Sequence, residues 1–201
     1  MKIAFDLNDV IRDYTMNFAK TYCKEYDREF NLSEVEFWTN ELSAVLPFKT
    51  ERAYEKFTYE DFVYEIFSKC PTMTTNLSIE LNEWYSKIVK NLEIDEDIDI
   101  IVVSPMEYGL SIQCTLFFLS KIGCRFREFY FPTDSNTIWD KCDVLITANP
   151  HLLNSKPENK KSIKIKTDYN EPCESDYAYS TLSVFLKNEN NLLKLLDNNA
   201  E

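Results

Sequence analysis

The sequence has 201 residues, of which 44% are hydrophobic and 28% are charged, and it carries a formal net charge of −12 at pH 7. This composition excludes an intrinsically disordered chain, and the length allows one core domain with or without an inserted subdomain. The negative charge argues against sequence-independent binding to nucleic acid, which requires cations that displace phosphate counterions.

No apolar run approaches the roughly 18–20 residues of a membrane span, and the N-terminus lacks the pattern of a secretory signal peptide. We therefore expect a soluble cytoplasmic protein that is neither secreted nor membrane-bound. The 6 cysteines are scattered without a CxxC pair, which favours reduced, buried thiols over a zinc site or a redox dithiol. The only histidine is His151, which excludes mechanisms that need two.

The chain opens with "KIAFD" (Lys2 to Asp6), an apolar run that predicts a buried central strand of a parallel sheet. From about residue 12 to residue 26, apolar side chains recur at helical spacing, so a helix is expected to follow. Residues 31–93 show no strand-like alternation and carry many aromatic side chains at helical spacing. We predict that 31–93 is an inserted helical cap, and that 1–30 and 94–201 form the core domain.

Four further apolar runs predict strands at 98–105, 126–132, 143–150 and 161–167. Helices are predicted at 109–123, which ends in a glycine, and at 180–196, which is amphipathic. Strands that alternate with helices predict the α/β class, as a Rossmann-like three-layer sandwich around a parallel sheet.

Three polar residues each end a predicted strand: Asp6, Ser104 and Thr147. Because parallel strands end at the same edge of a sheet, where α/β proteins bind ligands, we expect these side chains to lie together. This edge is the candidate functional site.

These motifs, in this order, resemble the haloacid dehalogenase (HAD) superfamily, and most closely the small 5'(3')-deoxyribonucleotidases. The resemblance rests on the strand ending in Asp6, the inserted cap, the strand ending in Ser104 and the late "TDYN" (Thr167 to Asn170). It covers nearly the whole chain and implies a HAD-like core. It also implies a first aspartate that attacks phosphorus, an acid two residues later that protonates the leaving oxygen, and a bound Mg²⁺.

Carried over to this chain, the resemblance places Asp6 at the nucleophile position and Ser104 at the phosphate-binding hydroxyl. Asn8 replaces the general acid/base, and an amide neither donates nor accepts the required proton. Loss of general acid–base catalysis typically lowers a rate by about 100- to 10,000-fold.

The other expected groups are also replaced. Thr147 and Ala148 stand where the family has the acidic pair that holds Mg²⁺, and neutral groups are poor ligands for this hard cation. The resemblance also implies a lysine that binds the phosphoryl oxygens, but this lysine is missing, and Thr137 lies near its position. Three other lysines would need a shifted register or a rearrangement to reach the site: Lys121, Lys141 and Lys156.

Two further acids follow the first strand. Asp9 is interpreted as a turn or helix-cap residue rather than a metal ligand, because aspartate tolerates the unusual backbone of such a turn. Asp13 is expected one turn into the first helix, where it would favour the helix dipole.

We therefore hypothesise a catalytically degenerate HAD-fold protein with a structural or interaction role, a protein partner or homo-oligomer, no cofactor and no metal. A composition typical of AT-rich genomes and the nucleotidase-like motifs suggest a bacteriophage virion or assembly component, in the host cytoplasm or in the virion. The alternative is a Mg²⁺-dependent 5'-nucleotidase that acts on (deoxy)nucleoside monophosphates, with Asp6 as nucleophile and Asp9 or Asp143 at the metal. Metal-free attack of Asp6 on carbon, and nucleotide binding without turnover, are two further possibilities.

Overall fold

The computed structural model of the protein describes residues 1–28, 46, 48–90, 98–188 and 191, without the side chains of 89 and 90. Six strands lie within these residues: β1 Lys2–Asp6, β2 Asp99–Val103, β3 Glu128–Tyr130, β4 Val144–Thr147, β5 Lys161–Ile165 and β6 Tyr177–Tyr179. They form one sheet in the order β3-β2-β1-β4-β5-β6, in which all neighbours are parallel. The five predicted strands are present, and β6 is a sixth that the sequence analysis did not predict.

Six α-helices are described: α1 Tyr14–Glu25, α2 Glu51–Lys56, α3 Leu77–Lys90, α4 Leu110–Lys121, α5 Pro150–Asn154 and α6 Leu182–Lys187. Two π-helical segments and two 3-10 segments accompany them: Phe57–Asp61, Tyr64–Ser68, Ser135–Lys141 and Asp168–Asn170. Among the described residues, no helix is long and apolar enough to cross a membrane. The predicted helix at 109–123 is confirmed as α4, and most of the predicted helix at 180–196 beyond α6 lies outside the described residues.

The first strand lies at the centre of the sheet because its residues are apolar on both faces. In β1 only Lys2 is not fully buried, and Ile3 lies beside Ile100 of β2 and Val144 of β4. One face of the sheet packs against α3, α4 and α6 through Phe5, Val102, Ile146, Leu81, Trp84, Phe118 and Phe185. The other face packs against the first 3-10 segment and α5 through Ala4, Ile101, Leu145, Ile138, Trp139 and Leu152. The predicted α/β class and the Rossmann-like three-layer sandwich are therefore confirmed.

The predicted cap contains two kinds of packing. Helix α1 and the π-helical segments share a separate aromatic cluster, the cap cluster: Tyr14, Phe18, Ala19, Tyr22, Phe57, Val63, Ile66 and Phe67. Helix α3 instead packs on the sheet. Part of the predicted 31–93 insertion lies outside the described residues, and within the rest only the portion before α3 covers the carboxyl edge of the sheet.

The six cysteines are free, as expected, although only three of them are fully buried: Cys70, Cys142 and Cys173. Burial raises the pKa of Cys70 and of Cys142 to about 12. Because the thiolate is the reactive form, these two thiols are inert packing groups at neutral pH.

Candidate functional site

The chain order reverses at β1, whose neighbours are β2 on one side and β4 on the other. In an open α/β sheet, ligands bind in the crevice beyond the carboxyl ends of the strands at such a point. Asp6 ends β1 and Thr147 ends β4, and the Thr147 hydroxyl donates a hydrogen bond of 2.6 Å to Asp6 Oδ2. Ser104 follows β2 directly and is fully buried. The structure thus places all three residues at the same edge of the sheet.

A cleft of about 380 Å³ lies at this edge, between the loops that follow the strands and the cap cluster. Its polar floor includes the acids Asp6, Asp9 and Glu107. Five aromatic rings also line it: Tyr14, Tyr54, Tyr59, Phe67 and Tyr169. The volume lies at the lower end of the range for small-molecule sites, about 300–1,000 Å³.

Asp6 is 2% exposed, and its Oδ1 has no hydrogen-bond partner among the described residues. Burial, which disfavours the charged form, raises the pKa of Asp6 to about 7, although the hydrogen bond from Thr147 opposes this rise. The negative charge of Asp9 raises the pKa further. Asp6 therefore exchanges its proton near neutral pH.

Asp9 acts as a turn residue and a helix cap. Its backbone has a φ of 58°, in the left-handed region, and its Oδ1 accepts a hydrogen bond of 2.9 Å from the backbone N–H of Thr15 in the first turn of α1. Its Oδ2 accepts hydrogen bonds from the hydroxyls of Thr15 and Tyr169. Burial raises the pKa of Asp9. With both oxygens bonded, Asp9 serves the fold, as the sequence analysis expected.

Replacing Asp9 by alanine is expected to lower the free energy of unfolding by about 2–4 kcal/mol, because three donors lose their acceptor. Alanine also keeps the strain of a positive φ without supplying a hydrogen bond to offset it. Asp9→Gly loses the same acceptors but relaxes the backbone, so it should be about 1 kcal/mol more stable than Asp9→Ala. Urea unfolding of both variants separates the two contributions. A wild-type midpoint for Asp9→Ala would contradict the capping role.

Arg12 is fully buried and organises a polar network that the sequence analysis missed. Its Nε donates to Asn8 Oδ1 at 2.8 Å, its Nη1 to Thr115 Oγ1 at 2.7 Å and its Nη2 to Glu107 Oε1 at 2.6 Å. The guanidinium also lies 4.9 Å from the ring centre of Phe67. We call Asn8, Arg12, Ser104, Glu107 and Thr115 the Arg12 network.

The carboxylate of Glu107 accepts hydrogen bonds from three members of this network, Arg12, Ser104 and Thr115. Ser104 Oγ donates to Glu107 Oε1 at 2.5 Å, and Thr115 Oγ1 donates to Oε2 at 2.5 Å. Glu107 is only 3% exposed. The Ser104 hydroxyl and the Arg12 guanidinium are of the kind that binds a phosphoryl oxygen. Here both donate to the carboxylate of Glu107 instead.

The described residues that line the cleft include neither a lysine nor an arginine. Lys121 Nζ donates to the Ser68 carbonyl at 2.8 Å, and Lys156 pairs with Asp176. Lys141 lies 5.7 Å from the ring centre of Tyr130. Thr137, near the expected lysine position, donates its hydroxyl to the Asp134 carbonyl. None of these four side chains is among the described residues that line the cleft with Asp6.

The residues at this edge do not fit the Mg²⁺ that the family resemblance implies. Thr147 uses its hydroxyl on Asp6 and accepts the N–H of Asn149, and the carbonyl of Ala148 accepts Asn170 Nδ2 at 2.9 Å. Among the described residues, no group of three His, Cys, Asp or Glu side chains is arranged to hold a metal ion. Thr147 and Ala148, at the positions of the family's acidic pair, therefore supply no carboxylate beside Asp6.

Two acids occupy places that differ from the sequence predictions. Asp143 precedes β4 at the opposite edge of the sheet, where it accepts the N–H of Lys2 and pairs with Lys160 at 3.0 Å, so it does not reach a metal near Asp6. Asp13 is the N-cap residue of α1, without a side-chain cap hydrogen bond, rather than a residue one turn into the helix. The loop before α1 is longer than predicted because residues 7 to 12 form a tight turn around Arg12.

The segments after β3 and β4 supply residues that the sequence analysis did not place in a site. Ser135, Asn149 and His151 line the cleft. His151 Nε2 lies 3.0 Å from Asn136 Oδ1, at the start of α5. These residues are not part of the family motifs, and the feature of the sequence that could have identified them is their position after predicted strands.

No protein-family model matches this chain, and no curated protein is similar to it in sequence. The chemistry of the cleft is therefore inferred from its own geometry.

Proposed function

We propose that this protein has a HAD-like fold with a catalytically degenerate site, and that it serves a structural or interaction role. The observation that carries the proposal is the position of Glu107. Its buried carboxylate accepts hydrogen bonds from Ser104 and Arg12, the two groups suited to hold a phosphoryl oxygen.

Electrostatics at the cleft support this proposal. The positive charge of Arg12 is matched by Glu107, and neither Asp6 nor Asp9 has a cationic partner among the described residues. A phosphate ester that approached Asp6 would be repelled by its carboxylate whenever Asp6 is ionised, and at low dielectric this repulsion is stronger than in water. In a phosphatase, cations and Mg²⁺ remove this repulsion.

The proton donor is also lost. Asn8 accepts a hydrogen bond from Arg12 Nε through its amide oxygen, so its orientation is fixed by a structural contact. Asp9, the nearest alternative acid, has both oxygens bonded to Thr15 and Tyr169. Neither group is available to protonate a leaving oxygen.

Exposed apolar side chains near the cap favour an interaction role. Tyr64 and Phe117 are 45% and 53% exposed, and their ring centres lie 6.3 Å apart. Met106, which lines the cleft, is 58% exposed, and Tyr108, whose ring centre lies 4.4 Å from that of Tyr59, is 49% exposed. Aromatic residues and methionine are enriched at protein interfaces. We propose a protein partner or a second copy of the chain on this side, and a virion or assembly role in a bacteriophage.

The proposal predicts no phosphate release from deoxynucleoside monophosphates in the presence of Mg²⁺ by wild type, with Asp6→Asn indistinguishable from it. Asp99→Asn is the matched control, because Asp99 is exposed at the amino end of β2, at the opposite edge of the sheet. Release that needs Mg²⁺ and is abolished by Asp6→Asn but not by Asp99→Asn would overturn the proposal. Light scattering on the same sample tests for a homo-oligomer.

One observation favours the second candidate, a Mg²⁺-dependent nucleotidase. Asp6 Oδ1 accepts no hydrogen bond from the described residues and belongs to a residue on the cleft wall, as a nucleophile requires. The assay above decides between the two functions, since only the nucleotidase requires Asp6 for turnover.

A further inference from the structure

The cleft combines aromatic rings with acids, and within the described part of the chain His151 is the one basic side chain that lines it. Tyr14, Tyr54, Tyr59, Phe67 and Tyr169 line it. Burial raises the pKa of Tyr14 and of Tyr169, so these phenols stay neutral. The faces of such rings carry partial negative charge and attract cations.

Asp6 supplies the second, independent observation. It is 98% buried, it lies on the cleft wall, and its Oδ1 lacks a partner among the described residues. A buried carboxylate oxygen without a partner is costly, so native structures almost always satisfy such an atom with a hydrogen bond, water or a ligand. The ligand that satisfies it must bring a donor or a positive charge.

The cationic side chains nearby do not provide that charge. Arg12 is bound to Glu107, Thr115 and Asn8, and it is not part of the cleft wall. Glu107 pairs with Arg12 and Asp9 has both oxygens hydrogen-bonded, which leaves Asp6 as the acid of the floor with an unbonded oxygen among the described residues. The absence of a suitable group of metal ligands among the described residues disfavours a divalent metal.

We propose that the cleft binds a small organic ammonium ion, with its charge on Asp6 and its carbon groups against the aromatic rings. Carboxylates and aromatic faces together form the cages that recognise quaternary ammonium groups. The ammonium comes from a free amine or from a lysine side chain of a partner, and both sources share this chemistry. The inference goes beyond the proposed function and stands without it, because binding and phosphate release are measured separately.

The first test compares two probes of equal shape by titration calorimetry. Choline carries the charge, and 3,3-dimethylbutan-1-ol is its uncharged counterpart. Wild type should bind choline saturably, with a dissociation constant of about 1 mM or tighter, and the neutral alcohol at least about 10-fold more weakly. Equal binding of both probes, or no saturable binding of choline, overturns the proposal.

Variants assign the site. Asp6→Asn should remove the preference for choline over the alcohol, whereas the control Asp99→Asn should keep it. Tyr59→Leu should bind choline about 3- to 10-fold more weakly than Tyr59→Phe, because only the leucine variant loses the ring. Thermal unfolding checks that each variant is folded. Wild-type binding by both Asp6→Asn and Tyr59→Leu overturns the assignment to this cleft.

A third probe, the amide of N-acetyl-trimethyllysine, distinguishes the sources of the ammonium. Tighter binding of this probe than of choline supports a partner side chain, and tighter binding of choline supports a free amine. Inorganic phosphate is the opposite-charge control. Phosphate binding in place of choline overturns the proposal and, if accompanied by Asp6-dependent turnover, the proposed function as well.

Discussion

Replacing Arg12 by methionine is expected to lower the free energy of unfolding by about 3–5 kcal/mol, the usual cost of removing one partner of a buried ion pair. Arg12 has no exposed surface, and its Nη2 lies 2.6 Å from Glu107 Oε1. Methionine fills part of the space beside Phe67 but leaves the Glu107 carboxylate buried without a cation. For a chain of this length the melting temperature should fall by about 6–20 °C.

Arg52→Met is the matched control for this prediction. Arg52 also forms ion pairs, with Glu55 and Glu60, but its side chain is 71% exposed. Exposed pairs contribute about 0–1 kcal/mol, so Arg52→Met should unfold close to wild type in urea. Similar losses for the two variants would show that burial of Arg12 does not determine its contribution.

Glu107→Gln tests whether the two charges stabilise each other. Alone, it leaves the Arg12 guanidinium buried beside a neutral amide, with Asn8 and Thr115 still as acceptors. In the double variant Arg12→Met, Glu107→Gln, neither charge remains, so the loss should be smaller than the sum of the single losses by about 1–3 kcal/mol. Additive losses would mean that the charges act independently.

The outline of the fold and half of the site were predictable from local patterns. Asp6 and Thr147 are 141 positions apart, yet their contact follows from two apolar runs that each end in a polar residue. The carboxyl ends of parallel strands meet at one edge of the sheet, so this contact can be predicted without knowing the structure. The same reasoning places Ser104.

The rest depended on contacts that no local pattern encodes. Arg12 and Glu107 lie 95 positions apart, and neither ends a strand. In the sequence, an arginine near the start of a helix cannot be distinguished from an exposed one, because burial of its charge depends on an acid far along the chain. Strand β6 has three residues at the edge of the sheet with little burial, so it gives almost no periodic signal.

The stability of the protein is expected to fall as pH rises from about 4 to above 7, with Asp6 as a principal cause. Folded, Asp6 has a pKa of about 7 because burial penalises its charge, whereas the ordinary value is 3.8. Between these values the folded state holds a proton that the unfolded state has lost, so unfolding becomes easier as pH rises. The contribution of Asp6 is fully present below about pH 4 and is lost through pH 7.

The contribution of Asp6 to the free energy of unfolding follows from the difference between its folded and ordinary pKa values. The interval between 3.8 and about 7 corresponds to on the order of 4 kcal/mol for a group as buried as Asp6. The raised pKa of Asp9 adds in the same direction. Lowered pKa values at Asp143 and Asp176 act in the opposite direction, mainly below pH 4.

Asp6→Asn should therefore be more stable than wild type at pH 8, by on the order of 1–3 kcal/mol, and similar to it at pH 4. The gain is smaller than the full linkage value because a buried amide also lacks a partner at the Oδ1 position, while its oxygen still accepts the Thr147 hydroxyl. Urea unfolding of wild type, Asp6→Asn and the exposed-site control Asp99→Asn between pH 4 and pH 8 measures the difference. A wild-type pH profile for Asp6→Asn would show that Asp6 is ionised at no cost in the folded protein, and that a cation or a rearranged side chain already compensates its charge.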